Sequence, residues 1–162
     1  MDPRIAPLLP TLDLNHALVG KLFRLFSDED LASKPALPDT NRPKWLLGHV
    51  LNSRQGLLAL CGGADERQWD AVFGRGSTGE LTDAAPALSE LAECWMRLRE
   101  QTHAVFNALP AAMLDAESPV TLPVQPPLFI NQIVFMVAHE GMHIGQLSLL
   151  AKGLGAGELF GR

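Results

Sequence analysis

Apolar residues recur every three to four positions in four long segments of this chain, and Gly, Pro and Asp gather in the stretches between them. In the first segment, residues 12–26, Leu12, Val19, Leu22, Phe23 and Phe26 share one helical face, and Ser27-Asp28-Glu29-Asp30 then begins a short acidic turn. Residues 34–42, with Pro35, Pro38 and Asp39, predict a loop. Asn41 caps a second helix with Pro43 in its first turn, where a missing N–H costs nothing, and Gly62-Gly63 stops it after Cys61. Thr82 or Asp83 caps a third, with Pro86 in its first turns, Leu88, Leu91, Trp95, Leu98, Val105 and Leu109 on its apolar face, and Pro110 at its end. The fourth runs from Pro127 or Leu128 to Lys152, where Gly153 and Gly155 end it. Two long links remain, residues 63–82 and 110–126, and Pro123 argues against a central strand over residues 120–124. The pattern predicts an all-α fold, an antiparallel four-helix bundle with long crossover links, as one domain over residues 1–162. Facing side chains in such a core are the usual place for a metal site, and the links are candidate pocket walls.

One stripe breaks the apolar pattern of the fourth segment. His139 and His143, four apart, differ by about 40° around a helix axis and form a two-point metal grip. Gln132 and Gln146 fall near the same line. A partner of matching chemistry is His49 in Trp45-Leu46-Leu47-Gly48-His49-Val50, with Trp45 one turn before it and Asn52 and Ser53 one turn after it. Gly48 costs about 1 kcal/mol of helix propensity relative to Ala and predicts a close crossing there. The spacing leaves open the alternative of core histidines satisfied by backbone carbonyls or buried water. His16 lacks a second ligand type at helical spacing and is assigned a solvated or core-edge role, and His103, in the third helix, is assigned to the surface or its edge.

Composition narrows the function. With 47% hydrophobic and 19% charged residues, 162 residues bury a real core. A net charge of −5 without a Lys/Arg block excludes the electrostatic footprint of a nucleic-acid binder. The N-terminus lacks a signal-peptide layout, and no run reaches the ~18–20 uninterrupted apolar residues of a membrane span, so the expected location is the cytoplasm, with no membrane partner. Cys61 and Cys94 each stand alone and are expected to be reduced packing residues. Gly74-Arg75-Gly76-Ser77-Thr78-Gly79 fits a GxGxxG spelling, but without a preceding strand it does not predict a phosphate loop.

Trp45-Leu46-Leu47-Gly48-His49, His139-x-x-x-His143-x-Gly145-Gln146-Leu147 and Ser27-Asp28-Glu29-Asp30-Leu31 before a Pro-containing loop, in that order and spacing, resemble the DinB-like (damage-inducible, YfiT-related) superfamily of metal-binding four-helix bundles. The resemblance covers nearly the whole chain. It implies a divalent metal, commonly zinc or nickel, on three ligands that map to His49, His139 and His143, often in a homodimer. It also implies a link to transferases and isomerases that use a low-molecular-weight thiol as cosubstrate with an electrophile. Three neutral imidazoles leave the ion's charge undiminished and at least one position open, as chemistry on a metal requires. Asn52, Gln132, Gln146 and Glu140 are the candidates for orienting groups around the ligands. Two other readings share these residues: a metallohydrolase, since His139-Glu140-Gly141-Met142-His143 spells HExxH with Glu140 as general base, and a non-catalytic metal-binding or dimerising bundle.

Overall fold

The computed structural model describes residues 1–35 and 40–160, so Pro38 and Asp39 of the expected loop lie outside the described residues. The four periodic segments fold as α1 (Leu8–Leu25), α3 (Pro43–Leu60), α5 (Leu88–Ala108) and α6 (Phe129–Gly153), with one-turn helices α2 (Asp28–Ala32) and α4 (Asp70–Phe73) and a 3-10 turn at Ala111–Asp115 between them. Among the described residues no strand forms; the sole β pairing is one antiparallel bridge, Glu117 to Leu128.

Differences from the sequence reading lie at helix ends, where local chemistry decides. The first helix starts earlier than expected, at Leu8, because Pro10 falls in the first turn, whose N–H groups have no intrahelical acceptor. The acidic turn is a short helix: Asp30 N–H donates to Ser27 Oγ at 3.1 Å while Ser27 N–H donates to Asp30 Oδ2 at 2.8 Å, a reciprocal cap. Arg42, not Asn41, is the N-cap of α3, with Pro43 at its first position. Neither Thr82 nor Asp83 caps α5. Pro86 bars Ala85 from helical geometry, so the helix starts two residues after that proline, where Ala87 N–H donates to Glu90 Oε2 at 2.7 Å.

Helices α1 and α3 each pack between α5 and α6, which puts α1 diagonally across from α3 and α5 across from α6. The steps from α1 to α3 and from α5 to α6 are therefore diagonal, whereas residues 61–87 join the neighbouring α3 and α5. The core is Leu12, Val19 and Leu22 of α1, Leu47, Val50 and Leu51 of α3, Leu91, Trp95 and Leu98 of α5, and Ile133, Ile144 and Leu147 of α6. Within it lies an ion pair. Arg54 of α3 donates from Nε and Nη2 to both carboxylate oxygens of Glu140 on α6 (2.8 and 2.5 Å), from Nη1 to Thr102 Oγ1 on α5, and from Nη2 to the Leu12 carbonyl on α1 (both 3.2 Å). One side chain thus ties all four long helices. Its guanidinium also stands 5.2 Å from the Trp95 ring centroid. Helix α6 is by length and composition apolar enough to cross a membrane; one face of it packs on α1 and α3, and 33% of the apolar window is buried.

Candidate metal centre

Packing of α3 on α6 carries His49 to His139 and His143, and one ligand nitrogen from each ring lies within 4.8 Å of the others. The hydrogen bonds decide which nitrogens these are. His49 Nδ1 is 2.6 Å from the Phe73 carbonyl, which can only accept, so Nδ1 carries the proton and Nε2 keeps its lone pair. His143 repeats this logic with Nδ1 at 2.7 Å from Gln146 Oε1. His143 Nε2 and His139 Nε2 stand 3.1 Å apart. Two nitrogens on a tetrahedral ion at ordinary metal–nitrogen distances are about 3.3 Å apart, so the α6 pair has the spacing of a metal grip. Three nitrogen donors, two of them with the tautomer set by an Nδ1 hydrogen bond and the third, His139, with its Nδ1 buried and without a protein partner, fit a borderline divalent ion such as zinc or nickel.

Burial holds all three imidazoles below the usual histidine range, His139 at about 4, where the neighbouring His143 and His49 add to the effect. The Phe73 bond partly opposes this at His49, as the Gln146 bond does at His143. Burial therefore favours the neutral rings, the form that binds metal.

The α3 face that carries His49 is fastened to α4. Trp45 Nε1–H donates to the Val72 carbonyl at 2.9 Å, and the Trp45 ring stacks on His49 at 4.8 Å. A Cβ at Gly48 would lie 2.5 Å from the Phe73 ring, so the expected close crossing is with Phe73 of α4. Asn52 Nδ2–H donates to Asp70 Oδ1 at 2.8 Å. These contacts place the Phe73 carbonyl on His49. Sequence reasoning missed Asp70, Val72 and Phe73; the signal was the apolar group Trp69, Val72 and Phe73 inside a Gly-rich link.

The remaining candidates separate. Gln146 is on His143, as described. Asn52 borders the site through Asp70, and its Oδ1 is buried without a protein partner. Gln132 is fully buried, and neither of its polar side-chain atoms has a protein partner. The structure does not bring Glu140 to the histidines: both its oxygens are taken by Arg54, which leaves the HExxH spelling without its base. His16 is buried, stacked on Trp95 at 5.1 Å, and His103 Nε2 is 3.0 Å from Asp13 Oδ1. Both cysteines are free and buried, and burial pushes the Cys61 thiol up to about 12.

A cavity of about 700 Å³ opens beside the centre, with His49 and His139 on one wall. Both long links line it, the first with Arg67, Asp70 and Arg75 and the second with Val120, Leu122 and Pro123. A family model described as the DinB superfamily matches residues 11–147. No curated protein matches the chain.

Proposed function

This chain belongs to the DinB superfamily, and from that premise we propose that it is a divalent-metal-dependent transferase or isomerase acting with a low-molecular-weight thiol. The observation that carries the reading is the convergence of three ligand nitrogens beside a cavity of about 700 Å³ that His49 and His139 line. Zinc or nickel is the ion the donor set favours. Three protein ligands leave a coordination position toward that cavity, unlike a closed structural site with four. When bound, the ion supplies the charge that keeps a coordinated thiol deprotonated at neutral pH.

The chain's own groups do the rest. The Phe73 carbonyl and Gln146 Oε1 hold the His49 and His143 rings by their Nδ1 protons, so neither ring turns away from the shared point. Trp45 and Phe135 stack on His49 and His139 and restrict water around them. The apolar cavity walls keep the sulfur poorly solvated and therefore reactive toward an electrophile in the same space. The protein acts in the cytoplasm as a homodimer. The outward face of α6, through Val134, Ala138, Gly141, Met142, Gly145 and Leu149, exposes no charged side chain and suits a second copy.

The test is metal analysis of protein purified without chelators or a His tag, followed by a screen of small thiols against electrophiles. About one divalent ion per chain is expected, lost in His49→Ala, His139→Ala and His143→Ala alike, because two ligands retain little chelate advantage. Full occupancy in His49→Ala would remove that residue from the centre. A metal-loaded protein inert toward every thiol would favour the non-catalytic reading.

A further inference from the structure

The cavity beside the histidines is largely apolar, yet two guanidinium groups, Arg67 and Arg75, line it against a single carboxylate, Asp70. The three are not equivalent. Asp70 accepts from Asn52 at 2.8 Å, with Arg67 at 3.9 Å. Arg67 is committed elsewhere: its Nε and Nη2 donate to the two Asp65 oxygens at 2.8 and 2.5 Å. Arg75 is exposed and has no hydrogen bond or ion pair among the described residues. With Arg67 paired to Asp65 and Asp70 bonded to Asn52, Arg75 is the guanidinium of this wall that no protein group engages among the described residues.

The GxGxxG stretch explains how that cation is held. Ser77 N–H donates to the Gly74 carbonyl at 3.2 Å, closing a turn with Arg75 and Gly76 at its centre, and Gly76 has the positive φ, 89°, that the third residue of a type II turn requires. At Gly74 a Cβ would stand 2.4 Å from the Asp70 carbonyl oxygen and 2.7 Å from Asp70 Oδ1, so glycine lets the turn lie down on α4. The glycines present Arg75 to the cavity instead of cradling a phosphate.

Asn52 adds an independent observation. It lines the cavity at 7% exposure, and its amide orientation is fixed because its Nδ2 faces a carboxylate that only accepts. Its Oδ1 is then an acceptor, buried and without a protein partner. A buried acceptor of this kind needs a donor.

We propose, resting on the metal and thiol reading above, that the cavity selects a carboxylate-bearing thiol, with Arg75 as the specificity-determining counter-charge and Asn52 Oδ1 accepting from an N–H or O–H of the same molecule. One guanidinium fork matches one carboxylate, whereas a phosphate would call for several convergent donors.

Binding is measured on cobalt-loaded protein, by calorimetry and by the thiolate-to-cobalt absorption band. The probes are 3-mercaptopropionate, its neutral analogue 3-mercapto-1-propanol, and glutarate, which carries the anion without sulfur. Wild type should bind the charged thiol about tenfold more tightly than the neutral one, a preference reduced by added salt because Arg75 is exposed. Arg75→Gln should erase the preference with the neutral thiol's affinity unchanged, and Arg75→Lys should restore part of it. Equal affinities of wild type and Arg75→Gln for both 3-mercaptopropionate and glutarate would overturn the anion site, even with the sulfur band present. Glutarate binding that depends on Arg75, with no sulfur band from either thiol, would overturn the thiol reading and leave the anion site standing.

Discussion

Replacing Glu140 by Gln should cost folding stability and spare the metal. The side chains of Glu140 and Arg54 are 3% and 1% exposed, and the carboxylate takes two charge-assisted bonds from the guanidinium. Gln keeps one acceptor oxygen but turns an NH2 toward the second Arg54 donor. The buried cation is left with Thr102 Oγ1, the Leu12 carbonyl and the face of Trp95. Removing one partner of a buried pair costs about 3–5 kcal/mol, a large share of the ~5–15 kcal/mol that holds a domain together. At about 2–4 °C per kcal/mol for a chain of this size, the melting temperature should fall by about 6–20 °C. The assay is thermal unfolding followed by circular dichroism in chelator, so that metal linkage does not enter, alongside metal content of the folded variant at low temperature. The double change Arg54→Met with Glu140→Leu should recover most of the loss, since an apolar pair of similar volume carries no unpaired charge. A melting point within about 2 °C of wild type, or a folded variant without its metal, would refute the reasoning.

Gly48→Ala drives a methyl into the Phe73 ring, where a Cβ lies 2.5 Å away. It should destabilise by about 1–3 kcal/mol and, by shifting the Phe73 carbonyl off His49, weaken metal affinity by about tenfold or more, read by competition with a chelating dye. Acidification should destabilise the protein through His16, whose burial, with the charges of Arg54 and Arg99 nearby and only Asp13 opposing, lowers it to about 4. Between about pH 6.5 and pH 4 the unfolded chain takes up a proton that folded His16 refuses. The contribution is therefore intact above pH 6.5 and declines as pH falls, by up to about 3 kcal/mol; chemical denaturation of the metal-free protein across this range should lose less stability in His16→Gln. An unchanged slope in that variant would place the acid sensitivity elsewhere.

The α6 half of the centre was legible in the sequence because it is local: a spacing of four on one helix brings His139 and His143 together whatever the rest of the chain does. The helical class and the four long segments were legible for the same reason, since periodicity of 3.6 is written in consecutive residues. His49 stood out through its motif and resemblance, but spacing alone could not join it to residues ninety positions away. Only tertiary packing decided what surrounds these residues. The diagonal order of the helices takes Glu140 into the core with Arg54, although its spelling beside His139 suggests a base, because a helix turns about 100° between neighbours and the bundle fixes which face looks inward. Long-range folding also turned an irregular, glycine-rich link into the buttress of the site. The Phe73 ring needs the missing side chain of Gly48, and the Phe73 carbonyl selects the His49 tautomer. Neither contact has a sequence period, because shape complementarity between distant segments depends on the whole packed chain.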